Sequence, residues 1–125
     1  MGLIHYLQLA MTHGLGPITV GRLVEAMGSA EAVVGASVAQ WQQVEGVGAT
    51  KGKHLHEAMK RARGAAEEEL RKAREMGFGL VCPEDAAYPA LLQTVGDRPA
   101  VLYVRGTLEP RDVHAVAVVG ARRCS

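Results

Sequence analysis

The chain has 125 residues and is 48% apolar, but its 15 glycines and its single Phe and Trp argue for two small units and against one large aromatic core. A formal charge of +1 excludes a protein that holds nucleic acid or an anionic membrane by net charge alone. Cys82 and Cys124 lie far apart and form no C-x-x-C pair, which excludes a disulfide framework and fits reduced thiols of a cytoplasmic protein. The start, MGLIHYLQLAM, has no basic n-region and no long apolar run, so neither an export signal nor a membrane anchor is read there.

Leu3, Leu7, Ala10 and Met11 recur at helical spacing and predict a first helix over residues 3–12, ended by His13-Gly14. In Gly14-Leu15-Gly16-Pro17 the glycines permit positive φ and the proline suits the first turn of a second helix, which carries Ile18, Leu23, Val24 and Met27 and stops at Gly28. Ser29 and Ser37 are each placed as an N-cap, and Ser37 with Gln40 fits a capping box ahead of Trp41 and Val44, so two short helices follow. Gly46-Val47-Gly48 then repeats the first glycine turn 32 positions on and opens a helix with the stripe Leu55, Ala58, Met59 and Ala62. Between Gly46 and Arg63 five basic residues, Lys51, Lys53, Lys60, Arg61 and Arg63, face one acid, Glu57.

Two glycine-apolar-glycine turns between helices resemble tandem helix-hairpin-helix units of DNA-binding and DNA-repair proteins. In such a turn, backbone N–H groups and a helix N-terminus meet a phosphate, and glycine is needed because a Cβ would block close approach. Gly46, Gly48, Lys51 and Lys53 are therefore a candidate secondary DNA contact. The alternative is an ordinary tight turn with solvated lysines. The first turn has no basic residue from Gly14 to Gly21 and is the weaker site.

Residues 65–76 read as a charged helix with Ala66, Leu70 and Ala73 on one side and Glu67–Arg71 and Glu68–Lys72 pairs; Gly64 is expected to kink it or divide it from the preceding helix. Adjacent Glu67, Glu68 and Glu69 do not converge and are read as a solvated face. Gly77 ends the helix, and Phe78–Cys82 begins a region of apolar runs and prolines. Tyr88-Pro89 forces an extended step before a Leu91-Leu92 helical turn, and Arg98-Pro99 does the same before a strand over Val101–Val104 that Gly106 closes. A loop from Thr107 to His114 leads to the apolar run Ala115–Val119, read as a buried parallel strand. This order places a helical unit at 1–64 and the start of an α/β sheet unit at 65–125.

The terminal run hands over to Gly120, Arg122, Arg123 and Ser125. Gly120 lets the backbone approach an anion, the Arg122 guanidinium engages phosphate oxygens bidentately, and Ser125 offers a hydroxyl donor or a cap. Such a loop normally feeds a helix, so the sequence is read as the front part of a longer protein. Pairing of Arg122 with a carboxylate of the sheet is the structural alternative. The loop is G-x-R and not G-x-G, which disfavours a nicotinamide cofactor. His13, His54 and His56 form no ligand set, and no Ser-His-Asp or reactive-cysteine pattern is present, so no metal, cofactor or catalytic residue is assigned.

The succession GFGLVCPEDAAYPALL, RPAVLYVRG and AVAVVGARRCS after a helical hairpin domain resembles the N-terminal part of the DNA-processing protein A family, DprA, also called Smf. The signals are Tyr88-Pro89 with Leu91-Leu92, then Pro99 with Leu102-Tyr103 and Gly106, then the glycine-arginine loop. The resemblance implies a small sterile-alpha-motif-like (SAM-like) helical domain followed by an extended Rossmann-like domain. It implies a cytoplasmic bacterial protein of natural transformation that binds single-stranded DNA, dimerises and helps load RecA, with the dimer and RecA contacts largely beyond residue 125. Family members usually carry Ser or Thr where this chain has Ala121, so one hydroxyl contact to phosphate is missing while Arg122 matches. The leading expectation is a non-enzymatic single-stranded DNA-binding protein; the alternative is a nucleotide-phosphate-binding enzyme on a related Rossmann-like fold.

Overall fold

The computed structural model describes residues 2–105, which form a mostly helical structure with one small sheet. In chain order the elements are α1 (Leu3–Ala10), α2 (Pro17–Met27), α3 (Ala30–Gly35), α4 (Val38–Gln42), α5 (Ala49–Glu75), β1 (Gly79–Val81), α6 (Ala90–Gln93) and β2 (Leu102–Val104). The expected terminal strand, its preceding loop and Gly106 lie outside the described residues.

Local signals set most helix ends. The Ser29 hydroxyl accepts from the Ala32 N–H at 3.1 Å, and Ser37 and Gln40 form the expected capping box. Gly28 stops α2 in a left-handed conformation, φ +97°, with its N–H on the Val24 carbonyl at 2.7 Å. At the end of α5 the Gly77 N–H bonds Arg74 and the Phe78 N–H bonds Ala73, a Schellman pair made possible by φ +82° at Gly77. α1 is shorter than its periodicity suggests. Tyr6, Leu7, Gln8 and Leu9 are all buried in succession, whereas Ala10 and Met11 are exposed. Consecutive burial means that α1 is enclosed from several sides, by α3 and α5 above all, so a one-face pattern misjudges it.

Among the described residues one core gathers side chains from the helices and from the sheet region. Tyr6, Leu9, Leu23, Val33, Trp41 and Met59 pack together, and Cys82 and Ala100 join them from the sheet region. Trp41 is fully buried, its indole N–H donating to the Val33 carbonyl at 2.9 Å. The His56 ring meets Trp41 edge-on at 5.4 Å and its Nε2–H donates to the Ala36 carbonyl at 2.8 Å.

α5 is one uninterrupted helix of 27 residues and passes straight through Gly64. Its first part packs on α1 and α4 and its last part on β1, with Ala62, Ala66 and Ala73 buried along the way. That burial on both sides of Gly64 outweighs the roughly 1 kcal/mol propensity cost of an interior glycine. Its ion pairs differ from the expected ones: Arg71 joins Glu68 and Glu75, and Arg63 joins Glu67 at 3.3 Å, all on exposed surface where such pairs contribute little.

β1 and β2 pair antiparallel with Gly79 opposite Val104, Leu80 opposite Tyr103 and Val81 opposite Leu102. The segment between them is pinned by side chains. Buried Tyr88 donates its hydroxyl to the Pro99 carbonyl at 2.8 Å, the Asp85 carboxylate accepts from the Cys82 N–H at 2.9 Å, and Gln93 donates to the Pro83 carbonyl at 2.6 Å. Glu84 reaches back to the helices: its carboxylate accepts from the Ala30 N–H at 3.1 Å and rests against Gly2, where an added Cβ would meet it at 2.1 Å. The starts of α1 and α3 thus converge on one acid, a favourable placement for negative charge.

Candidate nucleic-acid interface

The sequence repeat carries through to the backbone. In the first turn the Leu15 N–H bonds Thr12 and the Val20 N–H bonds Gly16; in the second the Val47 N–H bonds Val44 and the Gly52 N–H bonds Gly48, each pair offset by the same 32 positions. Leu15 and Val47, the middle residues, are both buried and anchor their turns in the core. Each turn therefore has an apolar centre held inside, with glycines on either side and a helix beginning directly after.

The two turns differ in what surrounds them. Gly14 and Gly46 both take positive φ, +87° and +91°. Gly16, the N-cap of α2, is extended at φ −89°, ψ 170°, whereas Gly48, the N-cap of α5, lies at φ +74°, ψ 175°. The α5 start has no side-chain cap and no acidic residue in its first turn, so its leading N–H groups and positive dipole end are unneutralised by a carboxylate there. Lys51 is exposed in that turn and Lys53 in the next. The Arg22 guanidinium, from α2, lies over Gly46: a Cβ there would sit 2.8 Å from its Nη1. Gly46 and Gly48 thus flank buried Val47 at the start of α5, Lys51 and Lys53 stand two positions apart on that helix and so point to different sides, and Arg22 approaches Gly46. The approach of Arg22, on α2, to Gly46 could not be read from the sequence, because no local pattern reveals it.

The first turn is apolar. Exposed Met11 and Ile18 flank it, and a groove of about 460 Å³ beside it is lined by Leu7, Met11, Leu15 and Pro17 and, across from them, by Tyr103 and Glu69. Gly14 packs against Leu55 of α5.

Burial, then Glu84, pushes the Tyr6 phenol up to about 12, and burial pushes the Cys82 thiol up to about 11. Burial thus favours the protonated form of both groups. Burial and the hydrogen bond to Glu69 also raise Tyr103, whose hydroxyl donates to that carboxylate at 2.6 Å. No group of three or more His, Cys, Asp or Glu suited to a metal occurs among the described residues, and no helix among them is long and apolar enough to cross a membrane.

Gly120, Arg122, Arg123 and Ser125 lie outside the described residues. No curated protein and no solved structure matches the chain. Residues 79–125, from the first residue of β1 through the glycine-arginine loop, match the family model described as DNA recombination-mediator protein A, the family whose likeness the Tyr88-Pro89 segment, the Pro99–Gly106 stretch and the loop carry in the sequence.

Proposed function

We propose that this chain belongs to a cytoplasmic recombination mediator that binds single-stranded DNA without catalysing a reaction. The observation that carries the reading is the family match over residues 79–125, because it includes the loop in which Gly120, Arg122, Arg123 and Ser125 would grip backbone phosphates. Residues 65–125 would then open an extended Rossmann-like unit, with residues 1–64 as a SAM-like helical unit. The second glycine turn, with Gly46, Gly48, Lys51, Lys53 and Arg22, is a secondary phosphate contact in this reading, and the apolar first turn a protein-facing one. RecA and a second copy of the chain are its proposed protein partners.

Fluorescence anisotropy of labelled oligo-dT and of a duplex, at low and moderate salt, tests the assignment. The parent chain should bind the single strand with affinity that falls as salt rises. The Arg122→Ala, Arg123→Ala double variant should weaken binding across sequences and reduce the salt slope by about one unit per lost phosphate contact. Unchanged affinity and slope in the double variant would refute the loop as the DNA site.

A further inference from the structure

Single-stranded nucleic acid offers unstacked bases as well as phosphates, and aromatic side chains near cations are the usual way to hold them. Three of the chain's five Phe, Tyr and Trp side chains, Tyr6, Trp41 and Tyr88, are buried in the fold. Phe78 and Tyr103 are half-buried, and the strand register brings them together. With Gly79 opposite Val104, the next step places Phe78 opposite Arg105 on the face shared by Leu80 and Tyr103. The two rings meet edge-on, 6.5 Å between centroids at 79°, and the exposed Arg105 guanidinium lies over Phe78, 5.0 Å from its ring centre.

The Tyr103 ring is held by its hydroxyl on Glu69 of α5, and the backbone at Phe78 is held by its N–H on the Ala73 carbonyl at the end of that helix. Near the pair, the Glu69 carboxylate accepts the Tyr103 hydroxyl, and Glu68 and Glu75 are paired with Arg71. Lys72 and Arg74 occupy the last turn of α5, just before Phe78, and among the described residues neither they nor Arg105 have a carboxylate partner.

We infer that Phe78 and Arg105 form a nucleobase-stacking site for single-stranded DNA, Phe78 supplying the aromatic surface and Arg105 a guanidinium that stacks on a base and meets the adjoining phosphate. The site deepens the proposed function and rests on it. It lies at the sheet end beside α5, where Tyr103 also lines the groove next to the first glycine turn, and it takes bases, as distinct from the backbone contact proposed for the Gly120–Ser125 loop.

The test compares oligo-dT with an abasic strand of equal length and charge, by anisotropy, for the parent, Phe78→Leu, Arg105→Gln and Arg122→Ala, each checked for parental circular dichroism and Trp41 fluorescence. Leucine keeps the apolar packing and removes the π face. The parent should bind oligo-dT at least about fivefold more tightly than the abasic strand, and Phe78→Leu should abolish that preference while leaving abasic binding unchanged. Arg105→Gln should weaken both strands. Equal parental binding of the two strands, or an undiminished preference in Phe78→Leu, overturns the stacking site; if Arg122→Ala still loses binding, the proposed function survives that failure. A parent that binds neither strand overturns the function and this site together.

Discussion

The two glycine turns repeat in sequence but make opposite demands on their second glycine, and alanine substitution at Gly16 and Gly48 exposes the difference. Gly48 sits at φ +74°, ψ 175°, a region that only glycine occupies without strain, so an alanine there costs about 2–3 kcal/mol. The smaller entropy of the unfolded alanine chain returns about 0.4–1 kcal/mol, leaving a net loss of about 2 kcal/mol. At Gly16 the backbone is already extended at φ −89°, ψ 170°, and nothing lies within 4 Å of an added Cβ. There the same entropic gain meets alanine's weaker N-cap preference, and the net change should stay within about 0.5 kcal/mol. Urea unfolding read by the fluorescence of buried Trp41 measures both. For a chain of this size, Gly48→Ala should also lower Tm by about 6–10 °C while Gly16→Ala leaves it nearly unchanged. Equal destabilisation by the two substitutions, or a neutral Gly48→Ala, would refute the claim that the second turn depends on a conformation reserved for glycine.

Glu84→Ala removes the carboxylate that accepts the Ala30 N–H, and should destabilise the fold by about 1 kcal/mol, with Glu84→Gln intermediate because it keeps an acceptor; an alanine variant with the parent's urea midpoint would contradict the capping role. The Cys82 thiol is held at about 11 in the fold against 9.0 when free, so the native state keeps its proton where the unfolded chain loses it. Its contribution is therefore intact below about pH 9 and lost as pH rises towards 11. The parent's urea midpoint should fall more steeply across that window than that of Cys82→Ala, and parallel curves would remove Cys82 as the cause.

Much of the helical part could be read from the chain because its signals are local. Ser29, the Ser37–Gln40 box, Gly28, Pro17 and Gly77 each act on backbone groups within a few residues, and such bonds form wherever the chain takes the helix boundary they favour. The 32-residue repeat was equally legible, since a buried apolar residue between glycines repeats both as letters and as hydrogen bonds. The Tyr88-Pro89 segment was read as an extended step, but its anchoring, Tyr88 on Pro99, depends on a partner eleven residues away. Helix α1 misled because periodicity describes a helix with one wet face, and this one is enclosed.

What the sequence by itself determined is the capped ends of most of the helices and that two glycine turns recur. Tertiary structure alone decided the sign of φ at Gly48, the passage of α5 through Gly64, the placing of Arg22 over Gly46, and the meeting of Phe78, Tyr103 and Arg105. Caps and turns are settled by bonds to near neighbours. These other features are settled by packing between segments tens of residues apart, whose free energy belongs to the assembled core and to no stretch of the chain alone.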